Sequence, residues 1–270
     1  MRVPRLLTAA AAAVVIVMPA GAQQRDAHAR LFPPQNLGLL EGRDRDEWQQ
    51  PDRVMDELRI SDGAEVADIG AGGGWFTIRL AYRVGPRGLV YAEDIQPEMI
   101  DSIQRRVARE GLVNVRTCLG TPADPRLPAR LDAVLMVDTY PQIRDPVSVL
   151  GHIRDSLAPN GRLGIVDFKL DGAGGPGPEL AERISPDVVK AQAAAAGLRL
   201  VSHETFLKYQ YLLVFARAQP GAPGGPHAGR GVSPAGVSAG GRATTTPTAG
   251  SSRPRRPSED RGRCTAGSPR

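Results

Sequence analysis

The residues from Val66 to Phe76 contain an apolar run, a glycine-rich turn and the beginning of a helical pattern, in that order. The turn reads Gly70-Ala71-Gly72-Gly73-Gly74. Glycine permits the positive φ values of a tight turn and has no side chain to hold a ligand away from the backbone. In a doubly wound α/β sheet, such a turn lies at the carboxyl ends of the strands, where ligands bind. The segment therefore predicts an α/β fold with a ligand site at this turn.

Strand and helix patterns alternate along the rest of the chain, and near-continuous apolar runs such as residues 133–137 are typical of parallel strands buried on both faces. We predict a doubly wound, mostly parallel seven-stranded sheet whose last two strands form a hairpin, giving one antiparallel pairing at the sheet edge. The predicted strands are 65–69, 88–92, 113–119, 131–137, 162–167, 199–203 and 211–217, and the predicted helices are 48–58, 75–84, 97–110, 144–158 and 186–196.

The glycine turn alone fits two classes of ligand. A dinucleotide fingerprint counted from Gly70 requires a third glycine at position 75, and Trp75 stands there. Its ring would block the close approach of a pyrophosphate to the backbone. The sequence also contains no evident Tyr-x-x-x-Lys or His arrangement of a nicotinamide-dependent oxidoreductase, so this class is disfavoured.

The second predicted strand ends in Glu93-Asp94, and Asp94 follows Gly74 by 20 residues. A carboxylate at this strand end can accept hydrogen bonds from both hydroxyls of a ribose. We choose Asp94 over Glu93 because side-chain alternation turns Glu93 to the other face of the strand. Ile95 follows and is expected to pack against an adenine ring.

The acid-x-Gly-x-Gly-x-Gly pattern of residues 68–74 resembles the first motif of S-adenosylmethionine-dependent methyltransferases. The resemblance covers roughly residues 37–217, and residues 47–51 and 209–211 resemble a bacterial subgroup of small exported or membrane-associated proteins of this kind. It implies the Rossmann-like methyltransferase fold, S-adenosylmethionine as cofactor, and an adenine-contacting role for the 114–124 segment. The cofactor-binding residues it implies are Asp68, Gly70, Ala71, Gly72, Asp94, Ile95, Thr121, Asp124 and Asp138.

Candidate catalytic residues lie at the ends of the fourth and fifth predicted strands, where a doubly wound fold presents its active face. They are Asp138, Tyr140 and Asp167. A general base is needed only if the methyl acceptor must lose a proton. The alternative roles are structural: Asp138 would cap a turn and Tyr140 would line the pocket. Relatives often carry histidine after this tyrosine, whereas this chain has Pro141, which offers no base.

The two ends of the chain differ in composition from its middle. Residues 1–22 have the basic start, apolar run and small residues of a secretory signal, which predicts an exported, periplasmic protein, or a cytoplasmic one if translation starts at Met18. We assign residues 23–46 to an N-terminal arm, 47–218 to the methyltransferase domain, and the Gly-, Pro- and Arg-rich residues 219–270 to a disordered tail.

The formal net charge of +5 arises in the terminal segments. Residues 219–270 hold eight arginines against Glu259 and Asp260, so we do not expect the folded part to bind nucleic acid. The apolar run of the signal is too short for a stable membrane span. Cys118 and Cys264 form no CxxC pair, and we expect neither a metal site nor a disulfide framework.

Two functions remain open from the sequence. The first is an enzyme that methylates a small-molecule substrate. The second is an exported non-catalytic binding protein that retains the methyltransferase fold, which Pro141 and the predicted export both favour.

Overall fold

A computed structural model describes residues 31–42, 44–171, 175–218 and Cys264. The predicted signal 1–22 and, apart from Cys264, the predicted tail 219–270 lie outside these residues. No helix in the described ranges is both long and apolar enough to cross a membrane.

Within the described residues, seven strands form one sheet in the order β3-β2-β1-β4-β5-β7-β6. All pairings from β3 to β5 are parallel, which confirms the doubly wound prediction. The strands are β1 Glu65–Ile69, β2 Leu89–Asp94, β3 Val115–Leu119, β4 Leu131–Val137, β5 Leu157–Phe168, β6 Leu198–Glu204 and β7 Gln210–Arg217.

The predicted C-terminal hairpin is confirmed at the edge of the sheet, but it joins the sheet through a second antiparallel pairing. β7 lies between β5 and β6 and is antiparallel to both, so the sheet has two antiparallel pairings and β6 forms the edge. The expectation of a single antiparallel pairing was wrong, because a hairpin pattern in sequence does not specify which of its strands meets the rest of the sheet.

In the part of the chain that the structure describes, six α-helices accompany the sheet, and a 3-10 helix (Pro34–Leu40) precedes them. The predicted helix 48–58 is two helices, because Gln50 between them has a left-handed φ of 43°. The helices are α1 Arg45–Gln49, α2 Pro51–Glu57, α3 Trp75–Val84, α4 Pro97–Arg109, α5 Pro146–Ser156 and α6 Pro186–Ala195.

The core consists of two apolar clusters, one on each face of the sheet. Alternate residues of β4 enter opposite clusters: Ala133 and Leu135 pack with α2 and α3, whereas Val134 and Met136 pack with α5 and α6. This is the period of two expected of a strand. Both faces of the sheet are therefore covered, and the carboxyl ends of the parallel strands are left to form a site.

A disulfide joins Cys118 in β3 to Cys264, 146 residues further along the chain. The expectation that the two cysteines would not pair was wrong. Cys118 is buried in the α5 and α6 cluster, and Cys264 packs against it. Spacing alone could not reveal this pairing, because the approach of two such distant residues depends on the tertiary fold.

Candidate functional site

The glycine turn between β1 and α3 takes backbone conformations that other residues rarely adopt. Gly70, Gly72 and Gly74 have φ values of +64°, +54° and +78°. A Cβ built on Gly70 would lie 2.3 Å from Cγ2 of Thr139, which follows β4. The turn therefore packs directly against the residue that follows β4.

Two carboxylates at the end of β2 hold this turn. Oε2 of Glu93 accepts a hydrogen bond from the Gly70 amide (3.3 Å), and Oδ2 of Asp94 accepts one from the Gly72 amide (3.0 Å). Burial raises the pKa of both carboxyls, that of Glu93 well above its usual range. Asp94 faces the turn as expected. Glu93 does so as well, which strand alternation alone did not reveal.

Asp68 is the second-last residue of β1, just before the turn, and is 2% exposed. Its Oδ2 accepts a hydrogen bond from the Thr77 hydroxyl of α3 (2.7 Å). Burial raises the pKa of Asp68 to about 6, against the lowering effects of Thr77 and Arg45. Asp68 thus ties the first strand to the first helix after the turn.

The loop after β3 forms a closed turn of its own. The Thr121 amide and hydroxyl both donate to the Asp124 carbonyl, at 2.9 and 3.0 Å. The Asp124 carboxylate accepts from the Arg126 amide (2.7 Å) and lies 3.9 Å from Nδ1 of His152 in α5. Ile95 is half-buried after β2. The Asp124 carboxylate thus already contacts Arg126 and His152. The expected contacts of Ile95, Thr121 and Asp124 with adenine remain predictions.

Asp138 follows β4 with a left-handed φ of +56°, a conformation that is strained for a residue with a Cβ. Its backbone amide donates to the carbonyl of Val166 (3.0 Å), and its Oδ1 accepts from Nε2 of Gln210 in β7. Burial raises the pKa of Asp138 to about 6, and the positive charge of Arg45 opposes this shift. Strained residues held by their surroundings concentrate at functional sites.

Asp167 and Tyr140 are placed differently from each other. Asp167 is 1% exposed, and its Oδ2 has no hydrogen-bond partner among the described residues. Burial and the nearby Asp138 raise its pKa well above the usual range. The Tyr140 hydroxyl donates to Oε1 of Gln192 in α6 (2.7 Å) and is therefore already engaged. The structure therefore brings the carboxyl groups of Asp138 and Asp167 close together, whereas the hydroxyl of Tyr140 is directed to α6.

The segment before β1 spans the ends of β2 and β4, and sequence reasoning did not place it there. The carbonyl of Phe32 accepts from Nε2 of Gln96 (3.1 Å), and its amide donates to Oε1 of Gln142 (3.2 Å). A Cβ on Gly73 would lie 3.3 Å from Leu37. Residues 32–37 therefore lie across the crevice between the glycine turn and the residues after β4.

Arg45 of α1 is a second residue that sequence reasoning missed. Its guanidinium is buried, lies 4.2 Å from the centroid of the Trp75 ring, and interacts with the charges of Asp68 and Asp138. Trp75 packs into the core cluster of α2 and α3. Asp68 and Asp138 therefore share one cation, the guanidinium of Arg45. The Trp75 ring, which disfavoured a dinucleotide site, packs against this guanidinium.

A sequence model of the family described as "Methyltransferase domain" matches residues 60–217. The chain belongs to this methyltransferase family. The matched range begins just before β1 and ends with β7, so it contains the glycine turn, both β2 carboxylates, Asp138 and Asp167.

Individual methyltransferases resemble parts of the chain. Nocamycin O-methyltransferase of Saccharothrix syringae is 32% identical over 42% of this chain and 41% of its own length. An uncharacterized methyltransferase of Mycobacterium bovis is 35% identical over 51% of this chain and 53% of its own. The chain thus spans about half the length of these curated relatives. A crystal structure of a SAM-dependent methyltransferase from Aquifex aeolicus is similar over 68% of this chain and 98% of that one, with 28% identity and a TM-score of 0.65.

Proposed function

We propose that the chain transfers a methyl group from S-adenosylmethionine to a small-molecule acceptor. The observation that carries this proposal is the conformation of the glycine turn. Glu93 and Asp94 accept hydrogen bonds from its amides, and Gly70 packs against Thr139 after β4. The cofactor supplies a methyl group already activated by a sulfonium, so alignment is the main task left to the protein.

The residues at the turn fit this cofactor. Gly70 and Gly72 carry no Cβ, which lets an adenosyl group approach the backbone. Each oxygen of Asp94 accepts one backbone amide, from Gly72 or Gln96, and an ionised carboxylate has about four acceptor sites. Acceptor capacity therefore remains for two ribose hydroxyls.

At the acceptor end, Asp138 is the base we propose. With a pKa of about 6 it is mostly ionised at neutral pH, and it is still basic enough to receive a proton. As the acceptor heteroatom bonds to the methyl carbon, the carbon–sulfur bond breaks with its electron pair on sulfur, and the acceptor proton passes to Asp138. Pro141 supplies no base, so this role falls to a carboxylate. The acceptor we propose is therefore a hydroxyl or amine that carries a proton, and the similarity to nocamycin O-methyltransferase supports an oxygen as the acceptor atom.

Calorimetry on the full chain tests the cofactor assignment with S-adenosylmethionine, its demethylated product and NAD. We expect the first two to bind, and Asp94→Asn to weaken S-adenosylmethionine by about 1–3 kcal/mol, the loss of hydrogen bonds to a charged acceptor. Glu98→Gln, an equal charge change at an exposed position in the first turn of α4, is the control. Unchanged affinity of Asp94→Asn, or binding of NAD alone, would contradict the proposal.

A turnover assay distinguishes the enzyme from the alternative, an exported non-catalytic binding protein. The protein is incubated with methyl-labelled S-adenosylmethionine and small-molecule extracts, and transfer of the label to an acceptor is measured. Incorporation that Asp138→Asn abolishes supports the enzyme. Binding without incorporation supports the alternative.

We also propose that the protein is exported. The Cys118–Cys264 disulfide supports this, because disulfides persist in oxidising compartments. Fractionation of a C-terminally tagged protein tests it, with recovery from the cytoplasm as the contrary result.

A further inference from the structure

Four polar side chains, of which Arg45, Gln49 and Gln210 are buried, form a continuous hydrogen-bonded chain from α1 to the end of β4. Nε of Arg45 donates to Oε1 of Gln49 (2.5 Å), Nε2 of Gln49 donates to Oε1 of Gln210 (2.9 Å), and Nε2 of Gln210 donates to Oδ1 of Asp138. Gln49 and Gln210 are both 0% exposed and lie 161 residues apart in sequence. We refer to Arg45, Gln49, Gln210 and Asp138 as the amide relay.

The direction of every bond in the amide relay is fixed by its first member. A guanidinium has only donors, so the atom of Gln49 that faces Arg45 must be its carbonyl oxygen. Gln49 then presents its NH₂ group to Gln210, which must accept with its own oxygen and donate with its nitrogen. Asp138 consequently meets a donor, and a donor favours the ionised form of a carboxyl group.

We propose that Gln49 and Gln210 are positioning residues that use the fixed donor direction of Arg45 to hold Asp138 as an oriented, ionised base. This inference rests on the proposed function, in which Asp138 receives the proton of the methyl acceptor. Neither glutamine needs to contact the acceptor; both act through Asp138.

The groups around Asp138 explain why such support is needed. β5 contributes Asp167, β7 contributes Tyr211 alongside Gln210, and α1 contributes Arg45 as the cation. Burial favours a protonated Asp138, while Arg45 and the two glutamine amides favour the ionised form. A buried carboxyl group in this position depends on its donors to remain a base at neutral pH.

The amide relay also depends on the docking of α1. Trp48 of this helix packs against Phe168 and Tyr209, with ring centroids 6.1 and 5.9 Å away, and Asp46 forms an ion pair with Arg79 of α3. These contacts set α1 against the ends of β5 and β7. Because α1 supplies Arg45 and Gln49, the ionised base is complete only when this helix is in place.

The test measures the ionisation of Asp138 in the full-length protein without added cofactor. Carboxyl ¹³C NMR on aspartate-labelled protein follows the titration, and Asp138→Asn assigns the signal. We expect Gln210→Met, which keeps the length of the side chain and removes the donor, to lower the acid ionisation constant of Asp138 about tenfold. Gln49→Met, which leaves Gln210 in place, changes the constant in the same direction. Gln104→Met removes an amide that donates to Thr117 between α4 and β3 and serves as the matched control.

Each outcome decides the proposal. A titration of Asp138 that neither Gln210→Met nor Gln49→Met moves would overturn it, as would an equal shift in Gln104→Met. Circular dichroism identifies any variant that does not fold, and the other glutamine variant then carries the test. Calorimetry with S-adenosylmethionine on the same wild-type protein reports separately on the proposed function. Failure there with an intact NMR result leaves the amide relay standing.

Discussion

Substituting Gly70 by alanine tests the geometry of the glycine turn directly. The new Cβ would lie 2.3 Å from Cγ2 and 2.4 Å from Oγ1 of Thr139, closer than van der Waals contact allows. Thr139 cannot turn away freely, because its hydroxyl donates to the carbonyl of Val137 (2.9 Å). The substitution therefore forces the turn and the end of β4 apart.

Two contributions set the magnitude. An alanine at a φ of +64° costs roughly 1–2 kcal/mol of backbone strain, offset by about 0.4–1 kcal/mol because the unfolded chain loses freedom. The steric overlap with Thr139 adds about 1–3 kcal/mol, the usual cost of overpacking. We expect Gly70→Ala to lower the free energy of unfolding by about 2–4 kcal/mol.

Gly111→Ala is the matched control. Gly111 has a φ of +65°, and a Cβ there would meet nothing within 4 Å, so this variant carries the backbone strain alone. Urea denaturation at pH 7 of both variants isolates the overlap as their difference. Adding Thr139→Ala to Gly70→Ala should recover part of the loss, leaving the double variant more stable than additivity predicts. Equal destabilisation of the two glycine variants, without recovery in the double variant, would refute the reasoning.

Three further predictions follow from the same structure. Burial raises the folded-state pKa of Asp68 from 3.8 to about 6, so its contribution to stability is most favourable below pH 4 and is lost as the pH rises through about 6. Asp68→Asn should therefore remove roughly 2 kcal/mol of the difference in unfolding free energy between pH 4 and pH 7, measured by urea denaturation. Removing the Cys118–Cys264 disulfide with Cys264→Ala should cost about 2–5 kcal/mol and abolish the effect of reductant on the melting temperature, and two free thiols in the unreduced wild type would contradict this. Trp48→Ala should loosen α1 and raise the pKa of Asp138 in the NMR titration, whereas an unmoved pKa would show that the aromatic contacts do not hold the relay.

Local patterns were sufficient to predict most of the elements. β1, β4 and α3 have the predicted bounds, because their apolar patterns, and for β1 and α3 the glycines beside them, act within a few residues. The first helix was wrong in form, since the pattern 48–58 does not reveal the left-handed Gln50 that separates α1 from α2. β5 is longer than predicted and begins at Leu157, where the sequence suggested the end of a helix.

The candidate site was predicted only where one segment defines it. Gly70, Gly72 and Asp94 lie where the turn and the strand end required them. Glu93 was assigned to the other face of β2, yet its longer side chain reaches the Gly70 amide. Tyr140 was a candidate by its place after β4, and its hydroxyl is instead engaged by a helix that packs there.

The order of residues thus encodes the glycine turn, the acid at the end of β2 and the alternation of strands and helices, because each depends on neighbours in the chain. It does not encode the pairing of Gln49 with Gln210, the disulfide to Cys264 or the cation between Asp68 and Asp138. The glutamine pair and the shared cation exist only once β7 enters the sheet beside β5 and α1 folds onto the strand ends, and the disulfide exists only once Cys264 reaches β3. Burial at the strand ends then strengthens the effect of the Arg45 charge and of the Gln210 hydrogen bond on Asp138. These residues come from three separate elements, so no single segment specifies their arrangement.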